Sequence, residues 1–182
     1  FTIDVNPSPE MDIPSDQTIC VTNNSVPVIF SSNVLGTSYS WTNDNSNIGL
    51  GINGSGDIPS FTTINTGNIL DTANITVVPT FNGCDGVPIE FDFIVTPVLE
   101  VDFIADTILC AGEEFPGVNF SGNVPSLSFE WTNNNISIGL PSNGTGDVSS
   151  FIVSNSGVVD QSATITVTPI LVGCTSNDSE FT

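Results

Sequence analysis

The sequence repeats itself at a fixed interval of 90 residues. The decapeptide WTNDNSNIGL at 41–50 returns as WTNNNISIGL at 131–140, and the same offset carries Cys20 onto Cys110 and Cys84 onto Cys174 without a gap. Laying residues 1–90 over 91–180 gives 36 identical positions, far more than shared composition supplies at one register. The chain is a tandem repeat, so its fold must be one that can be built twice from the same short unit.

Within a unit, short β-favouring runs alternate with turn residues. In the first copy they are QTICVT, VPVIFSS, SYSWTN, SFTTINT, ANITVVPTF and PIEFDFIVTP, and each predicts a strand. In the second copy Ala163, Ile165 and Val167 alternate with Thr164, Thr166 and Thr168, the pattern of a half-buried antiparallel strand. Asn82-Gly83 lies between two such runs and supplies the positive φ angles of a tight hairpin. Helical periodicity is absent. Six or seven strands per unit predict an all-β chain of two tandem immunoglobulin-like antiparallel β-sandwiches.

The phase of the repeat sets the expected boundaries. Residues 88–97 follow the hairpin and should close the first sandwich, which spans 9–98; the second spans 99–182. Residues 1–7, FTIDVNP, stand in the register of 91–97, FDFIVTP, so residues 1–8 read as the last strand of a preceding repeat. The final Phe181-Thr182 repeats the opening Phe1-Thr2, which leaves the second sandwich without its closing strand. Two arrangements satisfy that phase: continuation through further repeats, which is the favoured reading, or strand 1–7 of one subunit completing the second domain of another.

Charge excludes whole classes of function. The chain holds 20 Asp and Glu with no Lys, Arg or His, for a formal net charge of −20. Binding nucleic-acid phosphates or an anionic membrane surface requires basic side chains, so neither is a partner. Side-chain salt bridges and Lys-to-Asn crosslinks are impossible. Trypsin has no cleavage site, which suits life among extracellular proteases. A hydrophobic fraction of 38% separates the chain from disordered acidic tails. No apolar run reaches the eighteen or so residues of a membrane helix. Without a base, catalysis would need a carboxylate pair flanking a cleft, and the acids sit mostly in turns and junctions; no enzymatic activity is expected.

Four cysteines allow three pairings. One early and one late Cys per repeat makes Cys20–Cys84 with Cys110–Cys174 the pairing that gives each copy the same internal bond, closing a loop whose entropy is worth about 4 kcal/mol. Disulfides imply an oxidising compartment. Zinc is disfavoured by the wide spacing and the lack of His, and a catalytic thiol by the lack of any base to lower its pKa.

Taken in line, Tyr39-Ser40-Trp41-Thr42-Asn43, Ile48-Gly49-Leu50, Asn53-Gly54-Ser55-Gly56-Asp57, Ala73-Asn74-Ile75-Thr76-Val77 and Asn82-Gly83-Cys84 resemble the PKD-like repeats of very large Bacteroidota surface proteins. These include gliding-motility adhesins and related filament-forming proteins exported by type IX secretion. The resemblance covers both copies and implies PKD or immunoglobulin-like sandwiches strung as a stalk. It also implies neighbouring repeats as partners, with any surface glycan or protein ligand taken elsewhere. Ordinary PKD domains carry W-x-F-G-D-G, whereas here Trp41 precedes TNDN and Trp131 precedes TNNN, so no PKD-specific ligand is carried over.

The remaining candidates each have a structural counterpart. Trp41 and Trp131 could stack sugars, but their place within alternating runs makes them core plugs. Glu10, Asp12 and Asp16 recur as Glu100, Asp102 and Asp106, all-oxygen sets of the kind Ca²⁺ takes, and also the wet face of a strand. Asp57 and Asp147 end N-G-x-G-D turns and should accept backbone N–H bonds. In the phylum of the resemblance, O-glycans attach at Asp-Ser/Thr before a small or apolar residue. Asp71-Thr72-Ala73 and Asp106-Thr107-Ile108 make Thr72 and Thr107 the candidates.

Overall fold

A computed structural model of the chain describes residues 1–175 and 178–182. It divides into unit 1, Phe1–Pro97, and unit 2, Val98–Thr182. Both are all-β.

Unit 1 contains β1 (Gln17–Ile19), β2 (Ser38–Asn43), β3 (Asn53–Ser55), β4 (Asp71–Phe81), β5 (Cys84–Asp85) and β6 (Ile89–Val95). The main sheet runs β1-β6-β4-β2-β3, with β5 also on β4. All pairs are antiparallel except β1 with β6, which is parallel. Val28↔Ile58, Asn24↔Thr62 and Met11↔Ser32 are single bridges. The runs 26–32 and 60–66, expected as strands, therefore shrink to isolated pairs. Pro27 and Pro59 flank the Val28–Ile58 bridge, and each removes a backbone donor that a longer ladder would use.

Burial follows the alternation. Along β4, Ala73, Ile75 and Val77 are fully buried while Thr72, Asn74 and Thr76 are not. Phe91, Phe93 and Val95 of β6 complete the same core with Trp41, Ile48 and Ile58. Phe93 meets Phe61 edge-on with centroids 5.2 Å apart. At about 25 cal/mol per Å² of apolar area, such burial is what holds a chain with no ion pairs together.

Unit 2 contains β7 (Glu114–Phe115), β8 (Ser128–Asn133), β9 (Asn143–Thr145), β10 (Phe151–Ile152), β11 (Ile165–Leu171), β12 (Cys174–Thr175) and β13 (Ser179–Phe181). Its sheet runs β12-β11-β8-β9 with β13 also on β11, and β7 pairs β10. The expected alternation holds: Ala163, Ile165 and Val167 are buried, and Thr164, Thr166 and Thr168 are half-buried. One difference separates the units. β4 begins at Asp71, but β11 begins only at Ile165, the counterpart of Ile75.

The hairpin joining β4 to β5 turns at Asn82 (φ 47°) and Gly83 (φ 77°), as Asn-Gly predicts. In unit 2 the same turn is made by Val172 (φ 50°) and Gly173 (φ 79°). A β-branched residue at positive φ is strained, and Val172 is largely exposed, so its side chain returns little packing. Val172→Asn should stabilise unit 2 by about 1 kcal/mol, and Asn82→Val should cost unit 1 a similar amount. Urea unfolding of the two variants checks both signs, and no change in either would contradict the strain.

Candidate functional site

The repeated phrase around each tryptophan is occupied with building the sandwich. Trp41 and Trp131 are each 7% exposed, as core plugs should be, and among the described residues neither buried indole Nε1 has a hydrogen-bond partner. A Cβ on Gly54 or Gly144 would come within 2.2 Å of the neighbouring indole ring, which explains a glycine inside β3 and β9. Asn43 is buried, donates through Nδ2 to the Leu50 and Gly51 carbonyls and accepts from Asn45 N–H. Asn133 does the same with Leu140, Pro141 and Asn135. Asn45 and Asn135 then cap single 3-10 turns that end at Gly49 (φ 98°) and Gly139 (φ 101°). Sequence reasoning singled out the tryptophans and passed over these asparagines; their signal was recurrence at one offset.

Asp57 and Asp147 accept backbone N–H bonds as expected, but from a distant segment. Their donors are Phe30 and Phe120, each at 2.9 Å. The aspartates tie the N-G-x-G-D loop to the segment entering the core rather than closing their own turn.

The candidate calcium carboxylates are dispersed over separate hydrogen bonds. Asp12 accepts from Ser31 and Asp102 from Ser121, both at 2.6 Å. Asp16 accepts from Asp92 N–H and Asp106 from Thr182 N–H, both at 2.8 Å. The Glu10 and Glu100 side chains are exposed; it is their backbone N–H groups that bond, to Asn33 and Asn123. Among the described residues no group of three or more metal-ligating side chains converges. The glycan candidates Thr72 and Thr107 both present exposed side chains, Thr72 in β4 and Thr107 beside the end of β13.

The cysteines require a correction. The expected pairs Cys20–Cys84 and Cys110–Cys174 are not formed: Cys84 and Cys110 are free thiols, whereas Cys20 and Cys174 are disulfide-bonded. Strand register gives the reason. Cys20 follows Ile19, which pairs with Val95 at the far end of β6, while Cys84 pairs with Phe81, beyond the Val77–Ile89 pair at its near end. The length of β6, ~20 Å at 3.3 Å per residue, separates them, and a disulfide tolerates no more than ~7 Å between Cα atoms. In unit 2 Cys174 pairs with Leu171, the last residue of β11, while Thr107, three residues before Cys110, bonds to Thr182 beside the other end of the strand. Early and late cysteines of a repeat sit at opposite poles. Spacing alone could not show this.

At the pole of unit 2 that carries Cys110 lies a groove of about 510 Å³, lined among others by Leu109, Phe115, Leu140, Phe151, Ala163 and Phe181. In unit 1 the matching space is filled by the end of β6: Phe93, Ile94 and Val95 pair on one side with Ala73, Thr72 and Asp71, and on the other with Gln17, Thr18 and Ile19. Among the described residues the two flanks in unit 2, 107–109 and 161–164, lie outside any strand. Asn65 in unit 1 is buried and donates to the Ile69 and Val95 carbonyls. Its counterpart Asn155 is half-buried and, among the described residues, donates through Nδ2 to the equivalent Val159 carbonyl.

Two expectations follow. Screening should stabilise this uniformly anionic chain, because the Debye length falls from about 30 Å at 0.01 M salt to about 8 Å at 0.15 M; the melting temperature should rise with NaCl, and a fall would contradict the charge argument. Calcium should give no increment over NaCl of equal ionic strength, because the carboxylates do not converge. A calcium-specific rise, reversed by EGTA, would contradict that.

No protein-family model matches the chain, and no curated protein does. Among solved structures it is similar to the first two immunoglobulin domains of DIP-gamma, at 10% identity and a TM-score of 0.48, covering 97% of this chain and 96% of that one. It is also similar to tandem immunoglobulin repeats of Dlar, at 15% identity and a TM-score of 0.31, covering 95% and 96%.

Proposed function

We propose that the chain is a structural and adhesive segment of a long extracellular repeat protein, a length of cell-surface stalk or filament whose units are PKD-like sandwiches. The observation that carries this reading is what the two copies share. Trp41 and Trp131, Asn43 and Asn133, Gly54 and Gly144, Asp57 and Asp147 all serve packing or hydrogen bonding within a unit. Conserving scaffold at a fixed interval is what spanning distance requires. Disulfide-bonded cysteines fit an oxidising, extracellular setting, and the lack of any trypsin site suits one rich in proteases. Among the described residues no helix is long and apolar enough to cross a membrane.

The more specific reading is a gliding-motility adhesin or a related sheath fibre, exported by type IX secretion and carrying O-glycans at Thr72 and Thr107. It rests on the resemblance of the repeat motifs. The adhesive ligand is then held by other regions of the protein, and this segment has no catalytic role. Immunoelectron microscopy of intact producing cells with an antibody to residues 1–182 tests the proposal. Gold should decorate material projecting from the cell surface, and label confined to the cytoplasm would overturn the reading. In a glycan array the isolated pair should bind nothing; saturable binding to one glycan class would favour a binding module instead.

A further inference from the structure

We propose that the Asn82-Gly83 turn is a self-modifying site, at which the folded protein converts Asn82 to aspartyl and isoaspartyl linkages with no reagent but water. The other Asn-Gly steps of the chain are held unreactive by the fold. The site is independent of the stalk reading.

The chemistry is intramolecular. The Gly83 nitrogen gives up its proton to hydroxide and attacks the side-chain carbonyl carbon Cγ of Asn82. The new N–Cγ bond closes a succinimide ring while the Cγ–Nδ2 bond breaks and ammonia leaves. Water then opens the ring. Cleavage of the N–Cγ bond gives aspartate with the main chain unaltered, and cleavage at the Asn82 main-chain carbonyl reroutes the chain through Cγ as isoaspartate. Two conditions govern the rate: the attacking nitrogen must be unshielded and free of a hydrogen bond, and the side-chain amide must be free to swing onto it. A glycine after the asparagine removes the shielding, having no Cβ.

The sequence contains three Asn-Gly steps, Asn53-Gly54, Asn82-Gly83 and Asn143-Gly144. It also contains Asp85-Gly86, which cyclises by the same route with water as the leaving group. The fold treats them differently. Asn53 and Gly54 lie in β3, Asn143 and Gly144 in β9. The Asn43 N–H donates to the Ile52 carbonyl and the Gly56 N–H to the Tyr39 carbonyl, both at 2.9 Å. The Trp41–Gly54 pair between them therefore exchanges its own main-chain bonds, as alternate pairs of an antiparallel ladder do, and the Gly54 nitrogen is engaged. In unit 2 the bonds from Asn133 to Ser142 and from Gly146 to Phe129, both 2.8 Å, flank the Trp131–Gly144 pair in the same way. Asp85-Gly86 is held at both groups: Asp85 accepts from Thr80 Oγ1 at 2.7 Å, and the Gly86 N–H donates to the Pro79 carbonyl at 2.8 Å.

Asn82-Gly83 has no such restraint. Both residues are exposed and turn between the paired Phe81 and Cys84. Beyond the adjoining residues no atom lies within 4 Å of where a Cβ on Gly83 would stand. Among the described residues neither the Asn82 side chain nor the Gly83 N–H has a hydrogen-bond partner. The corresponding turn of unit 2, Val172-Gly173, is equally open but has no amide to lose, so the reaction is confined to one hairpin of the two. The two products differ in consequence. Aspartate tolerates a left-handed turn position as asparagine does. Isoaspartate adds a carbon to the main chain inside a two-residue loop and so disrupts the Phe81–Cys84 and Thr80–Asp85 pairs. Either product adds a negative charge to a chain already at −20.

Incubation of the 182-residue chain in mildly alkaline buffer, followed by chymotryptic cleavage and mass spectrometry, reads each site. In the folded protein Asn82 should convert at least tenfold faster than Asn53 or Asn143, and in urea the three rates should converge. Val172→Asn should bring a comparable reaction to unit 2. Aged protein should accept methyl groups from an isoaspartyl methyltransferase and unfold at lower urea, whereas Asn82→Asp should unfold where the unaged chain does. Equal rates at the three steps in the folded chain, an unreacted Asn82, or a Val172→Asn chain whose new amide is stable would overturn the proposal.

Discussion

Everything in this molecule turns on one strand being held between two others. In unit 1, β6 lies between antiparallel β4 and parallel β1, and its Phe93 and Val95 are among the most completely buried side chains. That position makes β6 a central strand built from the last residues of the repeat. A central strand satisfies backbone groups on both sides, so its presence decides whether its neighbours are strands at all. Unit 2 supplies the contrast within the same chain: β13, the counterpart of β6, pairs with β11 only over Ile165–Val167, and neither 107–109 nor 161–164 lies in a strand. The same geometry puts the early and late cysteines of a unit at opposite poles.

The absence of any basic side chain shapes how the rest is stabilised. With no cation to pair, aspartates accept from hydroxyls and backbone N–H groups, as Asp57 does from Phe30 and Asp16 from Asp92. Such charge-assisted bonds are stronger than neutral ones. Asparagine takes the role that ion pairs play elsewhere, with Asn43, Asn65 and Asn133 buried and each bonded to two or more main-chain groups. A surface of one sign also disfavours side-by-side association of copies.

Much of the fold was legible because alternation and recurrence are local properties. The burial alternation at 163–168, the hairpin at Asn82-Gly83 and the buried tryptophans could be read from neighbouring residues and a fixed offset. The facing segments were over-read as strands because β-propensity is counted per residue, while ladder length at 26–32 is set by Pro27 and Pro59. β3 was missed because Asn53-Gly54 has turn chemistry, and only the indole beneath it explains the glycine. The cysteine pairing failed for a deeper reason. Periodicity says that each repeat has the same pair, but which pole each sulfur occupies depends on the register of β1 with β6 and of β4 with β5. The groove lined by Phe115, Phe151 and Phe181 and the half-buried Asn155 needed coordinates.

Hydrogen exchange tests the central claim most directly. The account predicts that amides of 71–74, covered by β6, are strongly protected, while those of 161–164 exchange orders of magnitude faster although the sequences match in register. Equal protection at the two segments would mean that the end of β6 is not what makes its neighbours strands.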